Sequence, residues 1–152
     1  MTTREYLQQI ERYDYIIENK LREIERLEML LKTIPALPYD KDKVMSSGNQ
    51  DRIGGSVSQL LDDKANVEKL LDESKRKRNR IIEQIESLPN PKHIKVLSER
   101  YLKYQELFRL VNIVGFSYNQ VKNIHRDAIA EFEKLYKTEY KGLKSWSKVN
   151  PD

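Results

Sequence analysis

The chain contains no cysteine. That excludes disulfides, thiolate metal sites and thiol nucleophiles, and it suits a reducing cytoplasm. Glycine and proline are scarce, five of each in 152 residues, which fits a largely helical chain. No apolar run approaches the roughly 18 residues of a membrane-crossing helix. The first nine residues, MTTREYLQQ, carry charge where a signal peptide needs an apolar stretch, so a cytoplasmic protein without a membrane partner is expected.

Catalytic signatures are missing as well. Neither G-x-G-x-x-G nor the Walker pattern occurs, and there is no G-x-S-x-G elbow. The two histidines, His93 and His125, have no ligand partner at helical spacing, so neither a metal nor a cofactor is expected. Asp40–Asp42 begins like a calcium loop, but Val44 and Met45 stand where an oxygen ligand and glycine are needed. The expected reading is a protein that is not an enzyme.

Heptad patterning is what the chain does have. Tyr6, Ile10, Tyr13, Ile17, Lys20, Ile24, Leu27, Leu31 and Ile34 alternate steps of four and three, with Leu7, Leu21 and Leu30 beside them. This spacing predicts a helix over 3–34, stopped by Pro35 and Pro38. A second seam starts after Gly54–Gly55: Val57, Leu60, Lys64, Val67, Leu71, Ser74, Arg78, Ile81, Ile85 and Leu88, with Leu61, Leu70 and Ile82 alongside. Each helix would be about 45–50 Å long at ~1.5 Å per residue, and an antiparallel hairpin over 1–88 is the simplest arrangement. One hairpin covers one stripe of each helix, so self-association is expected, with a dimer favoured. The connection 35–56 is long; Val44, Met45 and Ile53 are expected to anchor it. Lys75–Arg80 (KRKRNR) reads either as a phosphate-contacting patch or as a solvated face paired with Asp62, Asp63, Glu68, Asp72 and Glu73. The abundance of those acids favours the second.

Beyond Asn90 the character changes. Residues 1–34 carry 6 Lys/Arg against 7 Asp/Glu, residues 35–55 carry 3 and 3, and residues 56–88 carry 7 and 7. Residues 89–152 carry 12 and 7, a local charge of +5. A polyanionic partner should therefore meet the C-terminal part. Asn90–Pro91 starts one helix. Leu107, Leu110, Val111 and Val114 form a short second one ending at Gly115. Ser117 with Gln120 is a capping box that opens a third, whose buried face is Val121, Ile124, Ala128, Ile129 and Phe132. Two helices joined across such a glycine turn match the DNA-reading helix-turn-helix, though the same turn also occurs in helical proteins that never touch DNA.

On this reading 117–132 is the recognition helix, entering the major groove of double-stranded DNA. Tyr118, Asn119, Lys122 and Asn123 are the candidate base contacts, because their hydrogen-bonding ends suit base edges. Arg100, Lys103 and Arg126 are the candidate phosphate contacts. The domain spans 89–135 and is followed by a basic tail over 136–152 that contains Trp146, and a fragment of residues 89–152 is expected to fold on its own.

The stretch LPNPKHIKVLSERYL…VGFSYNQVKNIHRDAIAEF resembles region four of bacterial sigma factors. Leu97, Arg100, Tyr101 and Leu102 match the helix before the motif, and Ser117, Val121, His125 and Ala128 match the recognition helix. Leu110–Val111 departs from the usual Ile-Ala. Over residues 3–135 the chain is similar to phage and prophage late-transcription regulators of the ArpU-like and RinA-like type, with Ser47–Asp51 matching their Ser-Gly-Asn-Gln-Asp loop. The resemblance implies an all-α regulator, expected to activate phage genes in a bacterial host cell, with RNA polymerase as a further partner. Two other classes fit the same elements: a phage small-terminase-like packaging protein, which would form a ring, and a helical adaptor that does not bind DNA.

Overall fold

The computed structural model describes residues 1–34 and 47–145, and for 47–55 the backbone alone. The fold is all-α: α1 (Thr3–Thr33), α2 (Ser47–Glu86), α3 (Pro91–Leu97), a π-helical turn (Ser98–Leu102), α4 (Leu107–Val114) and α5 (Tyr118–Tyr140), with no strand among the described residues. None of these helices is long and apolar enough to cross a membrane.

Both heptad seams are the inward stripes of their helices. Every seam position from Tyr6 to Ile34 and from Val57 to Leu88 is buried or half-buried. The start of α1 is fixed by a cap that the seam does not reveal. Glu5 N–H donates to Thr2 Oγ1 at 3.2 Å and Thr2 N–H donates to Glu5 Oε2 at 2.7 Å. This is a capping box with the Thr-x-x-Glu spacing.

The second helix differs from expectation. It begins at Ser47 and runs through Gly54–Gly55, so the loop expected over 35–56 is helical from Ser47 onward. Glycine costs a helix interior only about 1 kcal/mol relative to alanine and removes no backbone hydrogen bond, unlike proline. The rest of that loop, the rejected calcium pattern, the anchoring roles of Val44, Met45 and Ile53 and the tail beyond Ser145 lie outside the described residues or side chains.

Two compact units divide the chain. The first joins Met1–Asp14 with Arg76–Asp152; the second is Tyr15–Lys75. The core of the first unit takes Tyr6, Leu7 and Ile10 from α1 and Ile81, Ile85 and Leu88 from the end of α2 and the residues after it. Leu97, Tyr101, Ala128, Phe132 and Tyr140 complete it. Tyr6 stacks on Tyr140, with centroids 4.5 Å apart and planes at 16°. The Tyr6 hydroxyl donates to Gln84 Oε1 at 2.9 Å, and Gln84 Nε2 donates to Glu139 at 2.6 Å. Among the described residues, six of the eleven side chains of this core come from before Pro89, so residues 89–145 share it with α1 and α2.

Arg78 pairs with Asp14 and Arg80 with Glu139. The partners of these two cations are thus on other segments, not the acids upstream on α2. Lys75, Arg76 and Lys77 remain exposed.

In the second unit, Lys64 of α2 reaches Glu28 of α1 at 3.4 Å, so the two segments lie side by side there. Among the described residues of this unit only Leu27 and Leu71 are buried, while Leu21, Met29, Leu30, Leu61 and Leu70 are exposed.

Between α3 and α4 the backbone is irregular. Lys103 N–H bonds to Ser98 C=O at 3.2 Å, an i→i+5 closure, and Tyr104 then takes φ 58°. A tyrosine in the left-handed region is unusual. Its hydroxyl donates to Asp14, the carboxylate that also holds Arg78.

Candidate nucleic-acid interface

Helix α4 is eight residues long and buries Leu110. Gly115 ends it at φ 75°, with its N–H bonded to Val111 C=O at 3.1 Å. A Cβ at Gly115 would meet nothing within 4 Å, so the backbone angle alone selects glycine here. Ser117 then caps α5 as its spacing predicts. Its Oγ accepts from Gln120 N–H at 3.3 Å, and Gln120 Oε1 accepts from Ser117 N–H at 3.0 Å. Three residues, Gly115, Phe116 and Ser117, thus connect two packed helices in the manner of a helix-turn-helix.

The inward face of α5 is Val121, His125, Ala128, Phe132 and Tyr140. Ile124 and Ile129, expected in that face, are half-buried at its edges. His125 takes the central place instead, with Nε2 3.0 Å from the Tyr101 hydroxyl and the rings stacked at 5.8 Å. Burial, reinforced by the charges of Arg4 and Arg100, lowers the His125 pKa to about 4. At neutral pH the imidazole carries no charge, and the buried side of α5 is neutral. The steps 121, 125, 128 and 132 follow helical spacing perfectly well; histidine's polarity is what hides it from an apolar-stripe reading. The helix also continues past 132 to Tyr140, so the first part of the segment read as a tail is helical and packed. Phe132 and Tyr136 lie 5.0 Å apart there.

The opposite face carries the candidate base contacts. Tyr118, Asn119, Lys122 and Asn123 are all exposed within the first two turns. Lys122 Nζ lies 4.6 Å from the Tyr118 ring centroid, which steadies both side chains. No acidic residue occupies the first turn, so the positive end of the helix dipole is not offset there. Amide and ammonium ends presented this way can satisfy acceptor–donor pairs on a planar base edge.

The candidate phosphate contacts are not equivalent. Arg126 is exposed but shares its charge with Asp127 at 3.2 Å. Arg100 lies over the Tyr101 ring at 5.5 Å. Lys103 is held by the nearly buried Glu99 at 2.6 Å, which leaves it the least available of the three. Lys92, which the sequence reading does not single out, stands over the Phe116 ring at 5.2 Å, beside the turn that launches α5. Only its proximity in space to Phe116 marks it; nothing in its sequence neighbourhood does.

Among the described residues no group of three His, Cys, Asp or Glu side chains is placed to hold a metal ion. Compared with family models, with curated proteins and with solved structures, the chain gives no significant match in any of the three.

Proposed function

We propose that this protein is a sequence-specific DNA-binding transcription regulator, an activator of phage or prophage genes, that inserts the first two turns of α5 into the major groove. The observation that carries this reading is the exposed row Tyr118, Asn119, Lys122 and Asn123 on a capped helix whose other face is locked into a core. Asparagine amides suit adenine edges and lysine suits guanine. Lys92, Arg100 and Arg126 position the duplex through phosphates, with Lys103 a minor contributor. The charge of +5 over 89–152 supports the same side of the molecule. The assignment to phage genes, and RNA polymerase as protein partner, rest on the sigma-like and loop motifs of the sequence.

The exposed leucines of the second unit support a homodimer. Two reading helices would then address half-sites about 34 Å apart or a multiple of that spacing. Tethering would raise avidity by roughly 10²–10⁴ where the spacing fits.

The test is footprinting on the genome that carries this gene, followed by affinities of Asn123→Ala for the protected site and for random duplex. The variant is expected to lose ~1–3 kcal/mol on the site alone, relaxing choice at one base pair. An unchanged site-to-random ratio removes α5 as the reading helix. A closed ring of many subunits would point to packaging instead, and the absence of salt-sensitive DNA binding to an adaptor.

A further inference from the structure

We propose that a cleft between the start of α1 and the second half of α5 binds a phosphate group, with Arg4 as its principal ligand. The source of the phosphate, the DNA backbone at the edge of the groove, rests on the reading above; the cleft does not.

The cleft measures about 460 Å³ and is lined by Arg4 with Ile129, Glu133, Lys137, Tyr140 and Lys141. The steps 129, 133, 137 and 141 form one line on α5, and Arg4 faces it from α1. Three cations meet one carboxylate. Glu133 pairs with Lys137 at 3.2 Å, while Arg4 and Lys141 have no ion pair among the described residues. The other acid close by, Glu5, is already engaged by Thr2 N–H and the Ser145 hydroxyl. Among the described residues no ion pair neutralises Arg4.

A buried hydroxyl pair adds a donor. Thr3 Oγ1 and Tyr140 Oη are 2.8 Å apart, both residues nearly inaccessible, and both line the cleft. One hydroxyl hydrogen makes that bond, which leaves the second hydroxyl's hydrogen to donate to an anion. Guanidinium, ammonium and hydroxyl groups converging on an open cleft match the oxygens of a phosphate, and guanidinium does so in bidentate fashion.

The cleft also lies in line with the reading face. Lys122, Arg126, Ile129, Glu133 and Lys137 follow helical steps along α5. Arg4 and Arg100 both bear on the buried Tyr101–His125 pair, and the cleft begins on α5 at Ile129, two turns or about 10 Å beyond Lys122 at ~1.5 Å per residue. A duplex receiving the first two turns of α5 would bring its backbone to this level, where helix-turn-helix proteins make their positioning contacts. A free phosphorylated small molecule offers the same chemistry and is the alternative source.

The experiment uses the full chain and the variants Arg4→Ala, Arg4→Lys and Lys141→Ala, with Arg100→Ala as reference. Duplex affinity is measured from about 50 to 200 mM salt, alongside melting temperature in inorganic phosphate and in chloride at matched ionic strength. Arg4→Ala is expected to weaken site and random duplex by the same factor. It should flatten the slope of log affinity against log salt by about 0.9, one phosphate contact, with Arg4→Lys recovering most of that slope. Lys141→Ala should act in the same direction. Arg4 is exposed and has no ion pair among the described residues, so its variants should melt like the wild type in chloride. If Arg4→Ala leaves both the slope and any phosphate-dependent melting shift unchanged while Arg100→Ala lowers the slope, the cleft proposal fails and the DNA reading stands. If the wild type binds no DNA but is stabilised by phosphate and Arg4→Ala is not, the DNA reading fails and the cleft serves a free phosphorylated ligand. If the wild type shows neither response, both are overturned.

Discussion

The hydroxyl of Tyr101 and Nε2 of His125 are 3.0 Å apart inside the core, which joins the π-helical turn to the middle of α5. Either ring tautomer can make the bond, and the buried setting is what keeps the imidazole without charge. Burial first, then the charges of Arg4 and Arg100, lower the pKa to about 4, against an ordinary 6.5.

A pH dependence follows from that depression. The unfolded chain takes up the proton near pH 6.5, the folded one only near 4, so stability is intact above about 6.5 and falls as pH drops toward 4. His125→Gln should remove this component. Between pH 7 and 5 the wild type should lose about 2 kcal/mol more than the variant in urea unfolding. Parallel pH profiles would show that His125 is free to protonate in place.

At Gly115 the left-handed backbone predicts an asymmetry between two glycines. Gly115→Ala should cost about 1–2 kcal/mol, because φ 75° crowds any Cβ against its own backbone. Gly142→Ala, with open space and no positive φ, should change stability by less than about 0.5 kcal/mol. Chemical denaturation of the two variants checks both. Equal effects would place the Gly115 backbone outside the left-handed region.

How much of this was legible in the sequence differs by level. The seams of α1 and α2 were fully legible, since heptad spacing reports directly which face is turned inward. The turn around Gly115 and the Ser117–Gln120 cap were legible because their chemistry is local. What the seams face was not: Tyr6 reads as an ordinary heptad position, and nothing near it says that Tyr140 will cover it. Gly54–Gly55 reads as a break, yet the helix crosses it, because its penalty is small beside the cost of starting a helix anew. The π-helical turn and the left-handed Tyr104 have no sequence signal. Their register is set by Asp14 and Arg78, which lie far away in the chain. The exposure of Tyr118, Asn119, Lys122 and Asn123 is legible from amphipathicity, whereas the place of Lys92 beside Phe116 is set by tertiary packing.

For the first unit the expected dependence is on residues outside the motif. Tyr6→Ala deletes a ring stacked on Tyr140 and bonded to Gln84, and should destabilise by about 3–5 kcal/mol. A fragment of residues 89–152 should show no cooperative melting, contrary to the independence that the sequence suggested. Calorimetry on the fragment decides the matter, since a sharp transition would mean that Tyr6, Leu7, Ile10, Ile81 and Ile85 are dispensable.

For the second unit the expected outcome concerns mass. Light scattering should give a dimer for the wild type and a monomer for Leu61→Lys combined with Leu70→Lys. Both side chains are about half exposed, 52% and 46%, so helicity should be unchanged. A wild-type monomer would mean that these leucines are tolerated surface positions.

The contact between Tyr6 and Tyr140 also sets an order of events during synthesis. The apolar start of α1 leaves the ribosome before α5, and the aromatic ring that closes over it is made near the end of α5. While the intervening residues are translated, Tyr6, Leu7 and Ile10 have only part of their core available. The nascent chain must carry that exposed stripe until α5 has emerged. The first unit therefore closes late, and a transcript or ribosome that stops before Tyr140 releases a chain whose first helix is sticky and whose α5 lacks the ring that covers Tyr6.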